Sequence, residues 1–437
     1  MKRWTALNIL ADGASPKKCL AGQEQKHYNK IVHINQKGET GEESPLSKQT
    51  LFTAAALIFL AAGSAFAASN PAAYLKTEAQ KASISTLRDI DGGLLYTMDY
   101  SADYMLDDVL KSDVDSTEAM LKYIRDKMLL EGAPVGGAAD AGCSAFTAKT
   151  DDGKILYGRN FDYKMKMTSI VIRTKPKGRY ASIGVADAGW AGYEEGSISD
   201  GKTDLSLLVG APYMIMDGMN EKGLAVSVLK LRSAATRQES GKNKIMTTVA
   251  LRLMLDRAKD VDEALALLEG YDMQSAMPDA NFHFCIADAT GRTVVVEYGP
   301  GNGKLHVLEE NYVTNFYLTP GYDDQSRGRD RYNIIKETLS FKKGILTDTE
   351  AMSLLELVSQ PETEEATSMT QWSAVYNLTD LTLQLAMKRD YKKQFSFAME
   401  EERGSHGGGC SAGAAPFALA ALAPLALFIR KSKKLKK

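Results

Sequence analysis

Histidine is scarce in this sequence, 5 in 437 residues, and only His283, His306 and His406 lie beyond residue 67. Cysteine is scarcer: Cys19, Cys143, Cys285 and Cys410 stand far apart, with no C-x-x-C pair. Zinc centres need clustered Cys and His, and disulfide scaffolds need dense cysteines, so neither is expected, and no metal or cofactor is expected. Proline is also low at 12, and the hydrophobic share of 44% is that of a globular chain, which argues against collagen-like, disordered and polytopic membrane proteins. Between residues 68 and 409, 39 Lys and Arg face 50 Asp and Glu. An acidic body lacks the basic face that nucleic-acid binders need, and no nucleic-acid partner is expected.

The ends read as processing segments. Residues 51–67 form an uncharged apolar run after Lys48, closed by Ala65-Phe66-Ala67. That pattern predicts a secretory signal cut before Ala68, within a leader spanning 1–67. The polar stretch ahead of it is longer than a signal's usual basic region, and a start near Leu46 would give a normal one. At the other end, residues 410–437 carry Cys410-Ser411-Ala412-Gly413, an apolar stretch through Ile429, and a basic tail. Such a stretch is long enough to span a bilayer with its basic end in the cytoplasm. With Gly407–Gly409 ahead of it, the block resembles C-terminal sorting signals of the GlyGly-CTERM kind, as found in Synergistes-type bacteria; a plain C-terminal anchor is the alternative. Either places the body outside the cytoplasmic membrane, at the cell envelope or surface, joined through a linker at 399–409.

In the body, Ser116 and the apolar positions Leu121, Ile124 and Met128 predict a capped helix over 116–130. A small-residue linker, 131–142, follows. Short strands come next at 143–149, 154–160 and 169–173, the first two joined by Asp151-Asp152-Gly153, a hairpin signal. Strands are predicted near 205–211, 223–230 and 311–316, and a hairpin at 282–288/293–299. Helices are predicted near 246–258, 261–269, 331–340 and 348–358, the last opened by a Thr347/Glu350 capping box. Closing strands are expected near 371–378, 381–387 and 393–398. Strand runs separated by helix pairs favour an α+β layered sandwich over βαβ alternation.

Cys143 is the residue that draws attention. It opens a strand directly after Gly142, and Arg159 and Asp162 follow 16 and 19 residues later. A hairpin of that length returns its second strand beside the start of the first, so thiol, guanidinium and carboxylate meet at one sheet edge. A cysteine at a chain start carries a thiol nucleophile and an α-amine base in one residue, which suits a chain poor in histidine. That requires the Gly142–Cys143 bond to break, and a nearby arginine lowers a thiol's pKa. Cys285, on an apolar strand, reads as core. Tyr163, Met165, Met167, Trp190 and Tyr193 are candidates for an acyl pocket or for core.

The motifs Cys143-Ser144-x-Phe146, Gly158-Arg159-Asn160-x-Asp162, Asp217-Gly218-Met219-Asn220-Glu221-Lys222-Gly223, Val313-Thr314-Asn315 and Arg331-Tyr332 come in the order of the choloylglycine hydrolase or linear amide hydrolase family, which the chain resembles from Cys143 to about Phe397. The resemblance implies a four-layer αββα Ntn-hydrolase sandwich over 143–398 and a linear-amide hydrolase needing no cofactor. It implies Cys143 as nucleophile, Asn220 and Asn315 as oxyanion donors, Asp162 as holder of the α-amine, and Arg159 and Arg331 as electrostatic partners of thiolate and carboxylate. From the residues alone, Asn220 before Glu-Lys-Gly also reads as a turn residue, Asn315 as a satisfied strand polar, and Arg331 as a helix-surface residue with Arg327 and Arg329 near enough to shift the register. The 75 residues 68–142 resemble the ceramidase and acyltransferase branch, in which self-cleavage leaves associated α and β fragments. The expected partner is a small N-acyl amide; alternatives are acyl transfer on the same site and a non-catalytic surface binding protein on an inactive scaffold.

Overall fold

Glycine-centred turns and capped helices set the local structure. At the tip of the first hairpin the Gly153 N–H donates to Thr150 O at 2.9 Å with φ at 87°, a left-handed conformation that favours glycine. Thr347 and Glu350 form the reciprocal cap of a helix, as their spacing predicts. The computed structural model describes residues 72–132, 141–164, 166–322, 327–362 and 368–400. The leader, most of the 131–142 linker, Met165 and the C-terminal sorting segment lie outside the described residues.

The first strands are β1 (Arg88–Asp89), β2 (Leu95–Tyr100), β3 (Ala141–Lys149), β4 (Ile155–Tyr163), β5 (Ser169–Thr174), β6 (Ser182–Asp187), β7 (Ile215–Asn220) and β8 (Ala225–Leu231). After them come β9 (Lys244–Met246), β10 (Asp272–Gln274), β11 (Asn281–Ala287), β12 (Thr293–Tyr298), β13 (Leu305–Leu308), β14 (Tyr312–Val313), β15 (Met369–Asn377), β16 (Thr382–Met387) and β17 (Gln394–Ala398). Helices are α1 (Glu78–Ser85), α2 (Leu106–Val109), α3 (Thr117–Tyr123), α4 (Thr247–Arg257), α5 (Val261–Glu269), α6 (Arg329–Phe341) and α7 (Asp348–Leu357).

Among the described residues one sheet has nine strands in the order β1-β2-β5-β6-β7-β8-β11-β12-β13, and a second has six in the order β14-β3-β4-β15-β16-β17. The sheets face each other across a core in which Tyr157, Phe161 and Trp372 of one meet Leu229 and Cys285 of the other. Tyr157 pins the layers together, its hydroxyl 2.5 Å from Ser227 Oγ and donating to Cys285 O at 3.1 Å. Helices α4 and α5 cover the outer face of the nine-stranded sheet, and α6 and α7 cover the six-stranded one through a second core of Phe146, Leu156, Ile335 and Leu355. The result is the four-layer αββα sandwich.

Three local expectations shift. The helix at 116–130 is α3 running into a π turn, Ile124–Met128. The apolar run near 205–211 is a 3-10 segment, Ser206–Tyr213, buried throughout; a short apolar run does not distinguish strand from buried helix, and Pro212 cannot serve a central ladder. The strand near 311–316 contracts to β14. The segment ahead of Cys143 also supplies sheet: β2 pairs in parallel with β5, from Leu95↔Ser169 to Tyr100↔Thr174.

Candidate active site

The antiparallel register of β3 and β4 sets Cys143 opposite Phe161 and Ala145 opposite Arg159. Because strand side chains alternate, Cys143, Arg159 and Phe161 share the face between the sheets, while Asp162 turns to the helical side. The Cys143 thiol is buried, and Arg159 Nη2 donates to its Sγ at 3.0 Å. The same nitrogen donates to Val228 O of β8 at 2.6 Å, and Nη1 donates to Asn160 O at 2.9 Å. Behind the guanidinium lies Asp217 of β7, whose Oδ2 is 3.6 Å from Arg159 Nε. Trp372 Nε1 and the Tyr376 hydroxyl donate to that carboxylate at 3.0 and 2.5 Å.

Burial pushes the Cys143 thiol above its ordinary range, and Arg159 pulls against it. Burial raises Asp217 as well, opposed by Arg159 and by the Tyr376 and Trp372 bonds. The thiol is thus a protonated group with a fixed cation 3.0 Å away, poised to stabilise the thiolate once the proton has left.

The backbone of Cys143 is held from the other side. Its N–H donates to Asn315 Oδ1 at 2.7 Å, and its carbonyl accepts from Arg331 Nη1 at 2.6 Å. Arg331 Nη2 also donates to Asn315 Oδ1 at 2.7 Å, and Asn315 Nδ2 donates to Lys230 O of β8 at 2.8 Å. Arg331 reaches inward because Gly328, ahead of α6, has φ at 79° and no side chain; a Cβ there would stand 2.7 Å from Arg331 Nη2 and 2.9 Å from Thr314 Oγ1. Arg331 is thereby the arginine at the site, whereas Arg329 lies over the Phe316 ring at 4.2 Å.

Asp162 is buried and accepts from the Thr370 hydroxyl at 2.6 Å, from Gln360 Nε2 at 2.5 Å and from Arg331 Nη1 at 3.4 Å. The Thr370 hydroxyl also accepts from the Gln360 N–H at 2.8 Å, so its own hydrogen points at the carboxylate. Burial raises Asp162, with Arg331 as the chief opposing charge. The Cys143 N–H meets Asn315 and not Asp162, because Asp162 is carried on the opposite face of β4.

The structure brings Cys143, Arg159, Asp162, Asn315 and Arg331 together, and it places Asn220 elsewhere. The Asn220 side chain closes the β7–β8 turn and the end of α4: Oδ1 accepts from Lys222 N and Leu224 N at 3.0 and 3.1 Å, and Nδ2 donates to Leu255 O and Ala258 O at 3.0 and 2.7 Å. It ends β7, level with the start of β8, whereas the site is built at the far end of β8 around Val228 and Lys230. At roughly 3.3 Å per residue those ends are on the order of 15 Å apart. Within the Asp217–Gly223 motif it is Asp217, three residues before Asn220, that backs the guanidinium. Gln360 and Thr370 carried no sequence signal, since each acts through a polar contact that only folding creates. Tyr163, Met167, Trp190 and Tyr193 are buried in the inter-sheet core cluster. An open cleft of about 370 Å³, lined by Phe316, Tyr322, Arg329 and Tyr332 among others, lies beyond Asn315. Cys285 is core, and no metal-competent cluster of His, Cys, Asp and Glu occurs among the described residues.

A family model described as linear amide C-N hydrolases, choloylglycine hydrolase family, matches residues 143–349 and begins at the thiol. Residues 143–349 belong to the choloylglycine hydrolase family. A bile salt hydrolase/transferase from Clostridium perfringens is 25% identical over 190 residues, which are 39% of this chain and 51% of that protein. The chain therefore spans about half the length of that curated relative. A conjugated bile acid hydrolase variant from Clostridium perfringens aligns with a TM-score of 0.43 and 18% identity over 59% of this chain and 92% of that one. Penicillin V acylase from Agrobacterium tumefaciens gives 0.45 and 19% over 59% and 86%.

Proposed function

We propose that the chain is a self-processing cysteine hydrolase that cleaves the C–N bond of a linear N-acyl amide through a thioester acyl-enzyme. The observation that carries the reading is the double grip on Cys143: Arg159 on the sulfur, and Asn315 with Arg331 on the backbone. In activation the thiol adds to the Gly142 carbonyl and its proton passes to the departing nitrogen. Water then hydrolyses the thioester, leaving a Gly142 carboxylate and a free amine on Cys143.

That amine takes the thiol proton when a substrate carbonyl is attacked, and Arg159 stabilises the thiolate. Asn315 Nδ2 carries two hydrogens, of which Lys230 O takes one; the other is the donor for the oxyanion. Asp162 works through Arg331 on the backbone of the nucleophile. Turnover ends when water cleaves the thioester. The relative's name pairs hydrolysis with transfer, which supports an amine as the alternative acceptor on the same site.

The segment 68–142 is read as a fragment that stays bound after cleavage, supported by β2 within the sheet and by the Tyr104 hydroxyl 2.8 and 2.7 Å from the two Asp256 oxygens. Export, with attachment at the cell envelope, is proposed from the two terminal segments. They lie outside the described residues, among which no helix is long and apolar enough to cross a membrane. The test of the chemistry is a panel of N-acyl amides, including penicillin V and N-acyl p-nitroanilides, given to the processed protein and to Cys143→Ala. Turnover is expected only with the first; equal hydrolysis by both contradicts the mechanism.

A further inference from the structure

We propose that His283 and Glu297 are positioning residues that hold Asn315 at the nucleophile, with His283 kept as a charged imidazolium between the two sheets. The inference rests on the reading of Cys143 as nucleophile and Asn315 as its oxyanion donor.

The two residues are direct partners across β11 and β12, so their side chains share a face, and that face is the inner one. Cys285, two residues along β11 on the same face, packs in the inter-sheet core. Both side chains are fully buried. His283 Nε2 lies 2.8 Å from Thr314 O, the carbonyl of the peptide bond that leads into Asn315. His283 Nδ1 lies 3.2 Å from Glu297 Oε1. A carbonyl oxygen only accepts, so Nε2 must carry a hydrogen. A neutral imidazole would then leave Nδ1 bare, setting its lone pair against a carboxylate oxygen, whereas an imidazolium donates on both sides.

The carboxylate is engaged in the same way. Glu297 Oε1 accepts from Leu318 N at 2.8 Å, and Oε2 accepts from Thr319 N at 2.9 Å. Both oxygens thus face N–H donors, the surroundings of an ionised group. Burial pushes Glu297 up, yet His283 and these N–H groups overcome it and hold the carboxyl below its ordinary range. The pair therefore grips the chain on both sides of Asn315, His283 at residue 314 and Glu297 at residues 318 and 319. A charge of either sign left alone in this core would be costly, so the two are retained or lost together.

The geometric consequence concerns orientation. The Thr314–Asn315 peptide plane is set by the His283 N–H, and Asn315 must present Oδ1 to the Cys143 nitrogen and Nδ2 toward the oxyanion from that plane. Release of the peptide plane displaces the donor without touching the thiol, its arginine or the substrate, and a shift of about 1 Å in such a group costs roughly 10² in rate.

The experiment has two arms. In the first, the processed protein is labelled with ¹⁵N-histidine, and the His283 signals are assigned by their loss in His283→Gln. Both ring nitrogens are expected in the protonated range at neutral pH, and a bare-nitrogen signal overturns the imidazolium. In the second, kcat and KM are measured on phenoxyacetyl p-nitroanilide for His283→Leu, His283→Gln and Glu297→Gln. The leucine variant is expected to lose about 10² in kcat with KM nearly unchanged. The glutamine at 283, which keeps an N–H for Thr314 O, is expected to recover at least part of that loss at the same melting temperature. Glu297→Gln, isosteric and foldable, is expected to lower kcat about tenfold through the same displacement. Losses that follow melting temperature alone, or no difference between glutamine and leucine at 283, overturn the positioning role. Absence of turnover in the wild-type protein would count against the hydrolase reading, while the ¹⁵N signals would still decide the state of His283.

Discussion

A thiol that is buried, protonated and bonded to a guanidinium needs a base, and the chemistry of this site turns on where that base comes from. Nothing but Arg159 and backbone groups lies within bonding distance of Sγ among the described contacts, which fits a base released on Cys143 itself. The two asparagines separate by position. Asn315→Ala is expected to lower turnover by about 10²–10³ with a small change in melting temperature, the loss typical of one oxyanion donor. Asn220→Ala should do the reverse, since it strands two backbone N–H groups and two carbonyls at about 1–3 kcal/mol for each group left unpaired. Kinetics and thermal unfolding on the same two proteins check both. A pH-dependent prediction falls on Asp187, which burial pushes up to about 8 against the bond it accepts from the Gly189 N–H. Between the ordinary value of 3.8 and about 8 the folded chain holds a proton that the unfolded chain has released, so stability falls as pH rises through that window. Asp187→Asn should therefore gain in melting temperature over the wild type more at pH 9 than at pH 5, and an equal difference at both would contradict the assignment.

At the scale of elements, what was legible in the sequence is what local chemistry determines. The β3–β4 and β11–β12 hairpins announced themselves through Asp-Gly and Thr-Gly turns, and α7 through the Thr347/Glu350 box, because turn and cap residues act over four positions. Strands β6 and β7 were invisible for a physical reason. They carry Gly184 and Gly218 where their backbones crowd, a Cβ at Gly184 standing 2.6 Å from Asp217 O, and glycine with buried aspartate does not read as strand. Asp217 was lost with them. Cys143, Arg159 and Asp162 were found because one hairpin holds all three in fixed register; Gln360, Thr370, His283 and Glu297 arrive from distant segments, and sequence spacing says nothing of them. The same close packing yields a prediction at Gly158, opposite Phe146. A Cβ there would lie 2.4 Å from the ring, so Gly158→Ala should destabilise by about 1–3 kcal/mol, and pairing it with Phe146→Leu should recover part of the loss.

At the scale of the molecule, the segment ahead of Cys143 is woven into the body. It adds β1 and β2 to the edge of the nine-stranded sheet, the Tyr100 hydroxyl donates to Val209 O at 2.7 Å, and the Tyr213 hydroxyl returns a bond to Tyr104 O at 2.6 Å. A chain cut at Gly142–Cys143 should accordingly migrate as one particle in native size-exclusion chromatography and separate only in denaturant. The most direct test of the central claim is the denatured intact mass of residues 68–409 beside its Cys143→Ala variant. The account predicts fragments of 75 and 267 residues in the first and one uncut chain in the second. A single uncut chain in both, from protein that turns over an N-acyl amide, would contradict it.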